Sequence, residues 1–140
     1  MEFSLNEASK AELKKLGVGV LYLIGSRALK TNRPDSDIDF AVVMKEKKGL
    51  KNPGELQNAL YGVLAAAVSR EITSKKPLLI DIVLLDTAPL YYAIAARDTG
   101  RVLMEISPGF RADFEERATI RYADFEPFRR EQEKITLAMI

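Results

Sequence analysis

Two apolar runs with a polar stretch between them constrain this chain most. Val18-Gly19-Val20-Leu21-Tyr22-Leu23-Ile24 and Phe40-Ala41-Val42-Val43-Met44 read as strands, and the chemistry sits at the two ends of the connection. Gly25-Ser26 leaves the first run, ten residues intervene, and Asp37-Ile38-Asp39 opens the second. Side chains at i and i+2 share a strand face, roughly 7 Å apart. Asp37 and Asp39 are therefore expected to point one way, with Ile38, Phe40, Val42 and Met44 on the other face. Paired carboxylates repel, so a fold keeps them together with a compensating cation. Oxygen donors of this kind suit Mg²⁺, which completes its shell with phosphate and water. Alone, the pair also fits a polar turn, because Arg33-Pro34-Asp35-Ser36-Asp37 is rich in turn formers.

A third acid decides between these readings. Leu78-Leu79-Ile80-Asp81-Ile82-Val83-Leu84-Leu85 is continuously apolar except for Asp81, and such runs predict a strand buried on both faces. An ionised Asp there is costly unless paired or metal-bound; the alternative is an Asp capping backbone amides at a bulge. If this strand lies beside the Asp37–Asp39 strand, three carboxylates converge, enough for two divalent ions that clamp attacking and leaving oxygens in phosphoryl transfer.

Gly25 and Ser26 fit the same chemistry. Ser26-Arg27-Ala28-Leu29-Lys30 predicts a short helix whose free amides and positive dipole end attract phosphate. Gly25 allows close backbone approach and Ser26 adds a hydroxyl donor, while also suiting the N-cap of that helix. Arg27, Lys30 and Arg33 bring positive charge nearby.

Gly25-Ser26-Arg27-Ala28, then Pro34-Asp35-Ser36-Asp37-Ile38-Asp39-Phe40-Ala41-Val42, then Ile80-Asp81-Ile82-Val83 resemble the minimal nucleotidyltransferases of the DNA polymerase β superfamily. The Gly-Ser, the ten-residue spacer and the Asp-x-Asp match the family motif without a gap, and nothing departs from it at the catalytic positions. The resemblance spans the whole chain, since the minimal enzymes are about this size. It implies an α/β (α+β) fold: a small mixed sheet of about four strands flanked by helices, with a C-terminal helical segment.

The resemblance also implies an activity. A nucleoside monophosphate would pass from ATP to an acceptor hydroxyl, with release of pyrophosphate. Asp37 and Asp39 would bridge two Mg²⁺ ions, and Asp81 would hold the ion that activates the nucleophile. Gly25 and Ser26 would bind the β- and γ-phosphates, with Arg27 and Arg33 against the departing pyrophosphate. Minimal nucleotidyltransferases of this size are similar to antitoxins that neutralise HEPN-type ribonuclease toxins by adding AMP to a tyrosine. Transfer to a tRNA end or a small molecule, non-catalytic neutralisation by binding, and a site completed only within a homo-oligomer stay open.

Composition agrees with an enzyme of this type. At 140 residues one domain, residues 1–140, is expected, with 47% apolar residues for a core and 29% charged. The formal charge of +1 argues against a dedicated nucleic-acid surface. Without cysteine or histidine, disulfides, Cys/His zinc sites, thiol catalysis and imidazole bases are excluded. No run reaches membrane-spanning length, and the acidic start Met1-Glu2 is unlike a signal peptide, so a cytoplasmic protein is expected.

The remaining chain alternates helix and strand. Ser4 with Glu7 predicts a capping box for a first helix, with Leu5, Ala8, Leu13 and Leu16 on one side and Gly17 as its stop. Lys45 to Gly49 reads as a solvated loop. Pro53 opens a long helix whose Leu56, Leu60, Val63, Leu64, Ala67, Val68 and Ile72 keep a helical rhythm. Pro89 to Thr99 predicts a helix stopped by Gly100, and Arg101 to Ile106 a fourth, edge strand. Pro108 to Ile140 reads as helical with a break or kink at Pro127. Four of the six phenylalanines lie in this last segment, Phe110, Phe114, Phe125 and Phe128, and it ends in the apolar Ile135-Thr136-Leu137-Ala138-Met139-Ile140. That end fits either the domain's own core or a partner surface.

Overall fold

In the computed structural model, which describes residues 3–74 and 76–139, the chain starts with α1 (Glu7–Lys15). Met1, Glu2, Lys75 and the last residue of the apolar end, Ile140, lie outside the described residues. Asn6, not Ser4, caps this helix: its Oδ1 accepts the Ser9 N–H at 2.8 Å, satisfying one of the orphan amides of the first turn. The Ser4–Glu7 capping box is thereby corrected. Ser9 rather than Ala8 is buried, and Arg70 donates to its hydroxyl at 2.6 Å. Gly17 ends the helix with φ of +91°.

The next segments form a four-stranded mixed sheet. β1 (Val18–Ile24) and β2 (Ile38–Met44) pair antiparallel, and after a 3₁₀ turn at Lys47–Leu50 the chain enters α2 (Pro53–Glu71). β3 (Ile80–Leu84) then lies parallel to β2, so α2 is the crossover of a β-α-β unit. α3 (Leu90–Thr99) leads to β4 (Arg101–Glu105), which pairs antiparallel with β1, and the chain ends in α4 (Pro108–Ala138). The strand order is β3-β2-β1-β4. The expected four-stranded mixed sheet with flanking helices is present, and β4 is the edge strand that Arg101 to Ile106 predicts.

One expectation changes with this order. β3 is the other edge, so the run from Leu78 to Leu85 is not a strand buried on both faces. Its regular part covers only Ile80–Leu84, Leu79 is largely exposed, and Asp81 is exposed too. A carboxylate at the sheet edge keeps its hydration, which removes the burial cost the apolar run implied.

The central strands follow the alternation of their side chains. Ile38, Phe40, Val42 and Met44 pack with Leu13 of α1 and with Leu56, Leu60, Leu64, Ala67 and Val68 of α2. Ala41 and Val43 face the opposite layer with Val20, Tyr22, Ile24 and Ala96 of α3. Phe110 and Phe114 of α4 pack on that second layer. Arg111 holds the start of α4, pairing with Glu105 and with Glu115 at 3.4 Å, and Arg97 of α3 reaches Thr119 at 2.7 Å. Beyond Ala118 the helix projects without a buried residue and runs through Pro127 unbroken. Pro127 and Ala123, whose carbonyl loses its helical donor, are both exposed, on a part of the helix open to solvent.

Candidate active site

The candidate residues meet at one end of the sheet, where β1 finishes and β2 and β3 begin. In the parallel register Asp39 stands opposite Asp81, and in the antiparallel register Ile24 stands opposite Asp39. Cross-strand partners share a face. Asp39 and Asp81 thus project toward the layer that also holds Ala41 and Val83. Asp37 lies one residue ahead of Ile38, the first residue of β2, and its charge reaches Asp39.

Asp39 feels its neighbours. Its carboxyl is held above the usual carboxylate range, first by burial, then by the charge of Asp81 and a hydrogen bond with it, and then by the charge of Asp37. A group in this position gains from an adjacent cation. Among the described residues, no three acidic side chains sit close enough to form a ready-made cage for an ion. The donor set nevertheless fits a hard divalent cation: carboxylate oxygens from Asp37, Asp39 and Asp81, in a chain with no imidazole or thiol to offer a softer metal.

Gly25 ties the turn to these acids. Its φ of +75° is the left-handed conformation that side chains resist, and a β-carbon there would come within 2.4 Å of Asp39 Oδ2. The glycine thus lets the Asp39 carboxylate lie directly against the backbone of the turn.

Residues Ser26 to Lys30 form a single turn rather than the expected short helix. Ala28 N–H and Leu29 N–H both donate to Gly25 O, and Thr31 N–H donates to Ser26 O at 2.9 Å. Lys30, with φ of +60°, reverses the chain before a second turn forms. Ser26 is half-buried at the start of this turn. One turn supplies local amides, but far less dipole than a full helix.

The two arginines part company. Arg27 Nε and Nη2 donate to Ser36 O at 3.2 and 2.8 Å, and Nη2 also donates to Pro34 O at 3.2 Å. Arg27 therefore clamps the loop that delivers Asp37. Arg33 is exposed, its backbone N–H donating to Ser36 Oγ at 2.8 Å.

Sequence reasoning passed over the opposite bank of this loop. A groove of about 580 Å³ is lined by Pro34 and Asp35 from the loop before β2, and by Thr73, Ser74 and Lys76 from the segment before β3. The signal was available: hydroxyls and a lysine between the end of α2 and the strand bearing Asp81.

A family comparison turns this geometry into an assignment. Residues 7–108 match the polymerase beta nucleotidyltransferase family. The chain belongs to that family. It is a nucleotidyltransferase by membership, and the matched segment contains the Gly-Ser turn and all three acids.

Solved structures agree on the fold. The chain is similar to one chain of a toxin–antitoxin crystal structure with AMP-PNP, at 24% identity and TM-score 0.70, over 97% of this chain and 100% of that one. A chain of the MntA-HepT toxin–antitoxin structure matches at 20% identity and TM-score 0.59, over 96% and 100%. A chain from the tri-AMPylated Shewanella oneidensis HEPN toxin in complex with MNT antitoxin matches at 20% identity and TM-score 0.59, over 97% and 100%. No curated protein sequence matches. Among the described residues no helix is long and apolar enough to cross a membrane.

Proposed function

We propose that this nucleotidyltransferase is an antitoxin of the MNT type that transfers AMP from ATP to a hydroxyl of a HEPN-type toxin, in the cytoplasm. The observation that carries the transfer chemistry is the pairing of Asp39 with Asp81 on neighbouring strands, with Gly25 against the Asp39 carboxylate. The acceptor class rests on likeness to toxin–antitoxin chains, one of them with an AMPylated toxin.

Asp37, Asp39 and Asp81 would hold divalent cations, Mg²⁺ by the hardness of the donors and two in number by the count of carboxylates. When bound, such ions neutralise the triphosphate and acidify the acceptor hydroxyl. The protein's own groups do the rest. Ser26 Oγ and the backbone amides beside it orient the β- and γ-phosphates, and the exposed Arg33 meets the leaving pyrophosphate. Arg27 acts through the loop, fixing Asp37 by its grip on the Pro34 and Ser36 carbonyls. The acceptor oxygen bonds to the α-phosphorus as the bond from that phosphorus to the β-phosphate bridging oxygen breaks. Asp81, exposed at the edge strand, is where the hydroxyl proton is received. With no histidine available, rate comes from positioning and charge stabilisation.

The test is incubation with Mg²⁺ and α-labelled ATP, with and without a HEPN-type toxin. Label on a toxin tyrosine is the expected result. Label on tRNA or small compounds, or a stable unlabelled complex, would replace the acceptor assignment.

A further inference from the structure

The end of the sheet opposite the acids holds a second pocket. Parallel β2 and β3 carry Asp39 and Asp81 at their amino ends, whereas open α/β sheets gather ligands outside the carboxyl ends of their strands. At those carboxyl ends lies a pocket of about 460 Å³, bounded by the 3₁₀ turn after β2, the connection after β3 and the inner half of α4. Leu85, in its wall, is four residues of extended chain beyond Asp81, about 13 Å. The pocket shares no lining residue with the acids, with Gly25-Ser26 or with Arg33.

Its wall divides by chemistry. Leu85 and Ala93 are buried, and with the half-buried Leu90 and Phe114 they make an apolar floor. Lys47, Arg117 and Arg121 stand around it, all exposed. Arg117 and Arg121 are one turn apart on α4, a like-charge spacing that a helix disfavours. Among the described residues no carboxylate pairs with any of these three cations. Arg117 Nε donates only to the Asp113 carbonyl, at 3.4 Å. Nearby Glu46 is taken up by Lys48 at 3.1 Å, and the Asp113 and Asp124 side chains lie outside the pocket wall. Asp86 is the one acid of the wall, and its Oδ2 already accepts the Met44 N–H at 2.9 Å. Three positive groups against one negative leave a surplus of two charges.

That surplus selects the ligand. A phosphate monoester carries nearly two negative charges at neutral pH, whereas a carboxylate carries one. Two guanidinium forks present paired donors to phosphate oxygens, and the lysine adds a point charge from a separate element. The apolar floor suits a ring beside the phosphate, and the volume lies within the range of small-molecule sites. We propose that this pocket binds a phosphate monoester on a ring-sized body, the chemistry of a nucleoside monophosphate. The phosphate lies against Lys47, Arg117 and Arg121, and the ring lies on Phe114 and Leu90. This is a second ligand site, separate from the one that transfers, and it stands whichever acceptor that site serves. Bound there, the ligand ties α4 to the turn after β2.

The test is isothermal titration calorimetry of the full chain in chelator, with AMP, ribose 5-phosphate and adenosine as probes. AMP binds once per chain, ribose 5-phosphate about 10-fold more weakly, and adenosine about 30-fold more weakly or worse. Arg117→Glu with Arg121→Glu weakens AMP about 30-fold or more, and Lys47→Glu, on its separate element, about 10-fold. All three side chains are exposed, so the melting midpoint without ligand stays put. Ser26→Ala, beside the acids, leaves AMP binding unchanged, which tells this site from the transfer site. Adenosine or ribose 5-phosphate binding as tightly as AMP, or no binding of AMP, overturns the proposal. So does AMP binding that survives the charge reversals or is lost in Ser26→Ala.

Discussion

Gly25→Ala separates the site's geometry from the stability of the fold. The new β-carbon would lie 2.4 Å from Asp39 Oδ2, where an ordinary carbon–oxygen contact needs about 1 Å more. The carboxylate must move by about that distance. A displacement of that size at reacting groups costs about 100-fold in rate. The left-handed φ of +75° adds roughly 1–2 kcal/mol of strain, a fall of about 4–8 °C in melting midpoint. Gly17→Ala is the control: its φ is +91°, but its β-carbon would meet only the flexible end of Met44, at 3.2 Å. It incurs the same backbone strain and leaves the acids alone. Initial rates with α-labelled ATP and thermal melts on both variants decide the matter. Matched stability losses are expected, with transfer lost about 100-fold in Gly25→Ala and retained in Gly17→Ala. A folded Gly25→Ala protein with full activity refutes the contact between the turn and Asp39.

Three further outcomes follow from the charges and the core. Asp39→Asn abolishes transfer yet raises the melting midpoint in chelator, because it removes a charge that burial, Asp81 and Asp37 all oppose; a lower midpoint by calorimetry contradicts this. Tyr22→Phe, which removes a buried hydroxyl with no well-formed hydrogen bond, stabilises the fold by about 1 kcal/mol in urea unfolding; a loss of stability shows that Glu115 does bind it. Glu126, pushed down to about 2 chiefly by its hydrogen bond from Arg129, supports the outer turns of α4 only while ionised. That support is complete above pH 4.5 and is lost as pH falls toward 2, so circular dichroism shows a small helix loss in this window that Glu126→Gln reduces.

Local chemistry made much of this molecule readable. Alternation across Ile38, Asp39 and Phe40 gave the face of the acid, and Pro53 and Gly17 marked helix ends, because each depends on neighbours in sequence. What escaped depended on distant partners or on competition between similar residues. Leu78 to Leu85 looked buried on both sides because an apolar run does not say whether its strand is central or at an edge. Asn6 displaced Ser4 as a cap, and the left-handed Lys30 ended a turn that Ser26 to Lys30 would otherwise extend into a helix. The grip of Arg27 on the Pro34 and Ser36 carbonyls was not legible either, because only the folded loop supplies those acceptors. Pro127 sits on an exposed stretch of helix, where a lost backbone hydrogen bond is less costly than in a core.

The most direct measurement is anomalous diffraction from crystals grown with Mn²⁺ and a non-hydrolysable ATP analogue. Manganese peaks bounded by the carboxylates of residues 37, 39 and 81, with triphosphate density leading to the turn at 25–26, are the expected result. Metal and nucleotide bound anywhere else on the protein, with those three side chains untouched, would contradict the account.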